Sequence, residues 1–280
     1  MMIEPGEGDR SHLVLIASDR TTDYGDILVA PPALQTMVEA LADFVVEGFG
    51  RWERVELRSI PGESLLIGPF LDAVRRRGVV ADVRVTCTCP VARLLPTWDE
   101  YLASLSKKDR HELRRKIRRA QAAGNQSVLF LKGRQEVADN LDAFFRLHRA
   151  SDPEKADFLD EGMLSFFTDL FLAFAEEGWL RLNLMKIDGR EVAASVSFSR
   201  GDRVLLYNSG LDPDYRVHSV GIALHAAEIQ QAIQERKTFY DFLRGNEPYK
   251  YGLGGQDSPT YTLTLLPPDA EDTEGRGRAG

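Results

Sequence analysis

Three alternating runs separated by two tight turns constrain this chain more than any other feature. Leu180, Leu182 and Leu184 alternate up to Asp188-Gly189, Val192, Ala194, Val196 and Phe198 alternate up to Arg200-Gly201-Asp202-Arg203, and Val204 to Ser209 forms the third run. A period of two puts every other side chain on one face of a sheet, and turns this short join neighbours antiparallel. The segment therefore predicts an antiparallel meander. A helix from Ser219 to about Glu235 and strands at Phe239 to Phe242 and Tyr261 to Leu265 are expected to complete its core.

Upstream, Val128 to Leu131 reads as a strand, and Gln135 to Arg149 and Met163 to Glu177 as helices. Phe144, Phe145, Phe166, Phe167, Phe171 and Phe174 recur at helical spacing, which suits a core better than an acyl pocket. Residues 13 to 86 alternate short apolar runs with two helical patterns, Leu34 to Phe49 and Ser64 to Arg77. A chain of 280 residues with this rhythm is expected to be a two-lobed α/β (α+β) protein.

The formal charge of −8 opposes a surface coated by nucleic acid, so any polyanion site must be local. Residues Met1 to Arg10 lack the apolar stretch of a secretory signal, and no later run is long enough to span a bilayer, so a cytoplasmic location is expected. Cys87 and Cys89 stand at i, i+2, and His12, His111, His148, His218 and His225 show no metal-ligand spacing. The expectation is reduced thiols and no metal.

From Thr97 to Gly124 the pattern is a helix or helix pair whose apolar stripe is Leu102, Leu105, Leu113, Ile117 and Ala120. Its other faces carry Lys107, Lys108, Arg110, Arg114, Arg115, Lys116, Arg118 and Arg119 against only Asp109 and Glu112. A solvated linker face accounts for most of these charges, and a phosphate-bearing partner for some. Glu154, Asp157, Asp160 and Glu161 read as an exposed acidic loop that could also meet a cationic acceptor.

After the third alternating run, Asp212 to Gly221 forms a small-residue loop opening a helix. Such a loop aims several backbone N–H groups one way, and the helix dipole adds positive potential, which suits a phosphate. Ser219 as a plain N-cap would explain the loop equally well. The spacing Arg216-x-x-Ser219-x-Gly221 resembles the acyl-CoA pyrophosphate loop of the GNAT acyltransferase superfamily, Arg or Gln, two residues, Gly, one residue, Gly or Ala, with serine in place of the first glycine. Cys89-Pro90, Trp98 to Arg110 and Tyr240 to Lys250 resemble the cellulose-biosynthesis (CelD-type) branch of that superfamily, which is similar in turn to the Fem-type peptidyltransferases.

The resemblance implies a GNAT-like mixed, mostly antiparallel sheet flanked by helices. It divides the chain into a shortened N-terminal lobe at 1–96, a basic helical connector at 97–125, an acyltransferase domain at 126–266 and a disordered tail at 267–280. It implies acetyl-CoA or another acyl-CoA as co-substrate, bound by Tyr215, Arg216, His218, Ser219, Val220 and Gly221. The acceptor is expected to be an amine or hydroxyl of a small molecule or a cell-surface saccharide precursor. Fem-like transfer from aminoacyl-tRNA and a non-catalytic GNAT-shaped scaffold are the alternatives.

Tyr249-Lys250-Tyr251-Gly252 resembles the lysine motif of the Fem-type enzymes, which makes Lys250 the expected stabiliser of the reacting carbonyl. Asp241 or Glu247 is expected as general base and Tyr207 or Tyr249 as the acid toward the leaving thiolate, with Tyr207, Arg244 and Asn246 near the acceptor. A structural ion pair is the competing account of Asp241 and Arg244.

Overall fold

The computed structural model describes residues 1–5, 11–16 and 21–268, so the expectation of a disordered tail lies, from 269 on, outside the described residues. The chain forms two compact units, 1–89 with the segment from Ser258 onward, and Pro90–Asp257.

The first unit begins with β1 (Met2–Pro5), β2 (Ser11–Val14), α1 (Leu34–Gly48), β3 (Arg54–Pro61), α2 (Pro69–Arg76) and β4 (Val80–Thr88). Val38, Ala42 and Val45 of α1 and Phe70, Ala73 and Val74 of α2 recur every three or four residues, and these stripes bury against Val55, Leu57 and Ile60 of β3. Cys87 and Cys89 are free thiols.

The second unit contains β5 (Val91–Arg93), α3 (Trp98–Ser104), α4 (Lys107–Gln121), β6 (Gln126–Leu131), α5 (Arg134–Ala138), α6 (Leu141–Ser151), α7 (Pro153–Phe158), α8 (Glu161–Glu176), β7 (Leu180–Ile187), β8 (Arg190–Arg200), β9 (Arg203–Leu211), α9 (Val220–Gln234), β10 (Phe239–Asp241) and α10 (Pro248–Gly252). Its sheet runs β5-β10-β9-β8-β7-β6. The meander β7-β8-β9 is antiparallel as its alternation predicts, and β10 pairs parallel to β9, with α9 as the crossover between them. Phe144, Phe145, Phe167 and Phe171 are core residues, and Phe166 is half exposed.

Several expectations change. The chain's last strand, β11 (Pro259–Leu266), pairs between β3 and β4 of the first unit instead of completing the second, because Leu263 and Leu265 bury with Val55 and Leu57. Residues 97–125 fall within the second unit. Leu113 and Ile117 of α4 pack with Ala226 and Ile229 of α9, inside the second unit. Their helices start where side chains satisfy the free N–H groups: Thr97 and Glu100 form a reciprocal capping box, and Ser106 accepts from Asp109 N at 3.1 Å. The helix expected at 135–149 is split into α5 and α6, and part of the acidic loop is α7, with Asp160 capping α8 through Met163 N at 2.8 Å.

The three motif blocks meet within the second unit. Pro90 O accepts from Phe242 N at 2.9 Å, and the Tyr101 hydroxyl donates to Leu253 O. Burial pushes the Tyr101 phenol well above its ordinary range, so it stays a donor.

Candidate active site

Where β9 ends, Asp212 opens a 3-10 helix, Pro213–His218, by accepting from Asp214 N at 3.0 Å, and Arg190 donates to its other oxygen at 2.5 Å. Ser219 then turns the chain at φ 59° and ψ 32°, the left-handed conformation that glycine adopts most readily. This is the position where the resemblance expects glycine, and the serine takes the same backbone conformation. Its side chain makes no capping bond, so the plain N-cap account of Ser219 is not what the structure holds.

The first backbone bond of α9 runs from Ala223 N to Ser219 O at 3.0 Å. The N–H groups of Val220, Gly221 and Ile222 therefore have no acceptor within the helix, and the helix dipole points the same way. Val220 anchors this turn with its side chain fully buried.

These residues border a cavity of about 350 Å³ inside the second unit, a volume within the range of small-molecule sites. Its walls are Ala194 of β8, Ser209 to Leu211 of β9, Ser219, Gly221, Ile222, Leu224 and His225 at the start of α9, and Tyr249 of α10. Three cations reach it: Lys116 from α4, Lys155 from α7 and Arg216 from the loop. Arg216 donates to Ser151 O at 2.8 Å and Lys155 to Ser209 O at 2.6 Å, so both tie the α6–α7 corner to the mouth of the sheet. Burial lowers the pKa of the Lys155 ammonium, opposed by the charges of Asp152 and Glu247.

Gly210 lets α6 approach that closely. A Cβ there would stand 2.4 Å from the backbone N and Cα of His148. Gly221 is less crowded, since its Cβ would meet Leu211 Cδ2 at 3.2 Å.

Arg216, Ser219, Gly221 and Tyr249 are thus brought together. Tyr215 and His218 pack on each other beside the loop, ring centroids 6.0 Å apart, and Arg190 covers Tyr215 at 5.4 Å. Burial is the main force raising the Tyr249 phenol far above its usual value, with Glu247 and Glu228 adding to it. Its O–H is therefore a hydrogen-bond donor rather than a ready acid.

The remaining expected residues are elsewhere. The Lys250 ammonium is buried and donates to Leu243 O at 3.2 Å, Arg244 O at 2.7 Å and Gly245 O at 3.3 Å, so its donors are spent on the turn. It is not among the residues that line the cavity. Asp241 is fully buried, accepting from Leu243 N at 2.9 Å and pairing with Arg203 at 3.0 Å. It too is away from the cavity lining. Glu247 and Asn246 are exposed, and Arg244 is half-buried. Tyr207 packs on the phenylalanine cluster, 5.4 Å from Phe198 and 5.9 Å from Phe167 between centroids.

Three residues the sequence reading did not single out matter here. Lys116 was one charge among eight, and Lys155 sat inside an acidic run. His225 lines the cavity although only 4% exposed, and the detectable signal was the pair His225 and Glu228 at i, i+3 in the apolar first part of the helix. Among the described residues, no group of three or more His, Cys, Asp or Glu is placed to hold a metal ion, and no helix is long and apolar enough to cross a membrane.

The acetyltransferase (GNAT) domain family matches residues 107–251. No curated protein matches the chain. Among solved structures it is similar to the C-terminal domain of a provisionally assigned lysylphosphatidylglycerol synthetase from Agrobacterium fabrum, with 13% identity, a TM-score of 0.61, and 86% of this chain and 76% of that one covered. It is also similar to L-PGS from Bacillus licheniformis, at 10% identity and a TM-score of 0.61 over 95% and 80% of the two chains. FemX gives 12% identity and 0.60 over 93% and 82%. At such identities the likeness speaks for the fold alone, whereas the family match spans the basic helix, the meander, the loop and the turn that closes the cavity. The chain belongs to the GNAT acetyltransferase-domain family, and its chemistry is acyl transfer.

Proposed function

We propose that the chain moves an acyl group, with acetyl the expected one, from acyl-CoA to an amine or hydroxyl of a small molecule or a saccharide precursor. The observation that carries this reading is the row of N–H groups at Val220, Gly221 and Ile222, unpaired within the helix, at a cavity that also receives Lys116, Lys155 and Arg216. That donor set fits a pyrophosphate: backbone amides at a helix start, supplemented by cations on three different elements. The apolar wall of Ala194, Leu211, Ile222 and Leu224 suits the carrier's arm.

In this reading the loop binds the carrier and leaves the acyl carbon within reach of the Tyr249 side. The Tyr249 O–H, kept protonated by burial, donates to the oxygen that gains charge in the transition state. The finer placement in the CelD-type branch rests on the motif blocks at Trp98 to Arg110 and Tyr240 to Lys250, and a cytoplasmic location follows from the donor.

Gly221→Glu tests the donor. The new carboxylate stands where the pyrophosphate would approach the backbone, so calorimetry with acetyl-CoA should show binding lost while the melting temperature stays near that of the parent. Unchanged affinity would remove the loop from the site.

A second reading, transfer of an aminoacyl group from tRNA, is favoured by one feature: the basic α4 reaches the site, with Lys116 in the cavity wall and Arg119 donating to Val217 O of the loop at 3.4 Å. Neutralising Arg110, Arg114 and Arg118 with glutamine should leave acetyl-CoA turnover intact under the first reading. Under the second it should weaken tRNA binding, and lowering salt should restore that binding.

A further inference from the structure

Beneath the cavity lies a polar constellation that phosphate binding does not use. Glu228 is 4% exposed, and its two oxygens accept from the Ser195 and Tyr240 hydroxyls, both at 2.5 Å. Asn183 donates to Ser195 Oγ at 3.1 Å. All four side chains are buried between α9 and a sheet face that also carries Met185, Ile187 and Val204 beside the polar Arg181 and Ser197. Burying so many polar groups in an apolar layer costs stability unless each is paired.

The pairing is incomplete: Asn183 Oδ1 and the neighbouring Ser197 Oγ are buried without a partner, and so is one ring nitrogen beside this group. His225 Nδ1 is buried without a hydrogen bond, 3.5 Å from Glu228 Oε1. The ring stacks on Tyr249, with centroids 5.5 Å apart and planes 16° from parallel, and it lines the cavity. With the Nδ1 edge toward Glu228, Nε2 is the nitrogen left for the cavity. A carboxylate behind one nitrogen selects the tautomer in which the other has a free lone pair. Separations of this size commonly close to a hydrogen bond only when substrate is bound.

We propose that His225 is the base that takes the acceptor's proton during acyl transfer, and that Glu228, held by Ser195 and Tyr240, is the residue that positions its ring. The assignment deepens the acyl-CoA reading and rests on it. The acceptor's lone pair forms the bond to the acyl carbon while its proton moves to His225 Nε2. The carbon–sulfur bond breaks with its electron pair on sulfur, and the imidazolium returns the proton there. The products are an amide or ester and a free thiol.

Burial raises the Tyr240 phenol far above its ordinary range, with the Glu228 charge as the second cause, so Tyr240 remains a donor to Glu228 throughout. The charged and titratable groups around the imidazole are Glu228 on its own helix, Tyr249 on α10, Lys116 on α4, Asp152 and Lys155 at α7 and Arg216 in the loop. The base accepts the acceptor's proton only in its neutral form.

The test has two arms on the full chain. In the first, diethylpyrocarbonate labels histidines without any acyl carrier, and mass spectrometry follows His225 against the exposed His111 as internal reference. Labelling of His225 in the parent, slowed on the order of 10-fold in Glu228→Gln with His111 unchanged, is the expected result. Equal His225 rates in both proteins, or no labelling of His225 where His111 reacts, overturns the dyad. Tyr240→Phe replaces Glu228→Gln if the latter does not fold.

The second arm follows thiol release from acetyl-CoA with ethanolamine as probe acceptor. His225→Gln should lower kcat about 100-fold, leave the acetyl-CoA Kd within about twofold, and abolish the acid limb of the pH profile, while His225→Ala should recover activity with added imidazole. Retained kcat, an intact acid limb, or a loss matched by weaker acetyl-CoA binding overturns the assignment. A parent protein that binds no acetyl-CoA overturns the donor reading instead, and labelling then judges the dyad alone.

Discussion

Lys250 Nζ stands 3.0 Å from Glu247 Oε2, and with the carbonyls of Leu243, Arg244 and Gly245 this pair closes the turn after β10 into a knot around one ammonium. The carboxylate is half exposed while the ammonium is not, so the lysine, rather than the ion pair, holds the turn. Tyr249 follows that turn directly. Lys250 thereby acts on the cavity by fixing where Tyr249 points.

Lys250→Met is therefore expected to be a stability variant. It strands the buried carbonyl of Leu243 and the partly buried ones of Arg244 and Gly245, and the unfolding free energy from urea titration should fall by about 3 kcal/mol. Acetyl-CoA affinity per folded molecule should change little. A rate lost by two orders of magnitude in a protein that melts at the parent's temperature would return Lys250 to the chemistry.

Ser219 supplies a prediction of opposite sign. Because its hydroxyl caps nothing and its φ is 59°, the serine contributes only the strain of a left-handed residue. Ser219→Gly should raise stability by roughly 0.5 kcal/mol after the entropy glycine loses on folding, and Ser219→Ala should be close to neutral. Loss of stability in Ser219→Ala would mean that the hydroxyl has a partner.

Gly210 is expected to tolerate nothing larger. A methyl group would stand 2.4 Å from the His148 backbone and 2.5 Å from Leu147 C, and backbone cannot swing aside as a side-chain tip can. Gly210→Ala should push α6 off β9, costing about 3 kcal/mol, and should release Lys155 from Ser209. Chemical denaturation beside acetyl-CoA binding separates the two effects.

Much of this arrangement was legible in the residues. Turns at Asp188-Gly189 and Arg200 to Arg203 pin the register of the meander, so β7, β8 and β9 could be read with their faces. The loop at Arg216 to Gly221 was readable as a helix start with free N–H groups. The sheet joined by β11 was not, because Leu263 and Leu265 alternate in the same way whichever partner they bury against. The surroundings of Lys250 were unreadable for a related reason: a lysine beside a glycine-rich turn looks the same whether its ammonium faces a cavity or folds back on the turn's own carbonyls. His225 and Glu228 stayed hidden because a polar pair on a helix reads as solvated until the sheet carrying Ser195 and Tyr240 is laid against it.

His148 gives a pH prediction with a defined window. The ring is buried on α6, 5.6 Å from the Phe144 ring, and burial, with the nearby Lys155 charge as a second cause, lowers its pKa from 6.5 to about 4. The folded state thus binds its proton less readily than the unfolded chain. Between about pH 6.5 and pH 4 the unfolded state holds more protons, so stability rises with pH across that window. The contribution is fully present above pH 6.5 and is lost as the pH falls toward 4, a span worth roughly 3 kcal/mol at most. Carboxylates add their own acid sensitivity, so the comparison must be with a variant that cannot titrate at this position. His148→Leu removes the ring and keeps the apolar contact with Phe144. Urea unfolding at several pH values should show a shallower fall below pH 6.5 in this variant, and equal slopes in the two proteins would mean that His148 charges as readily in the fold as outside it.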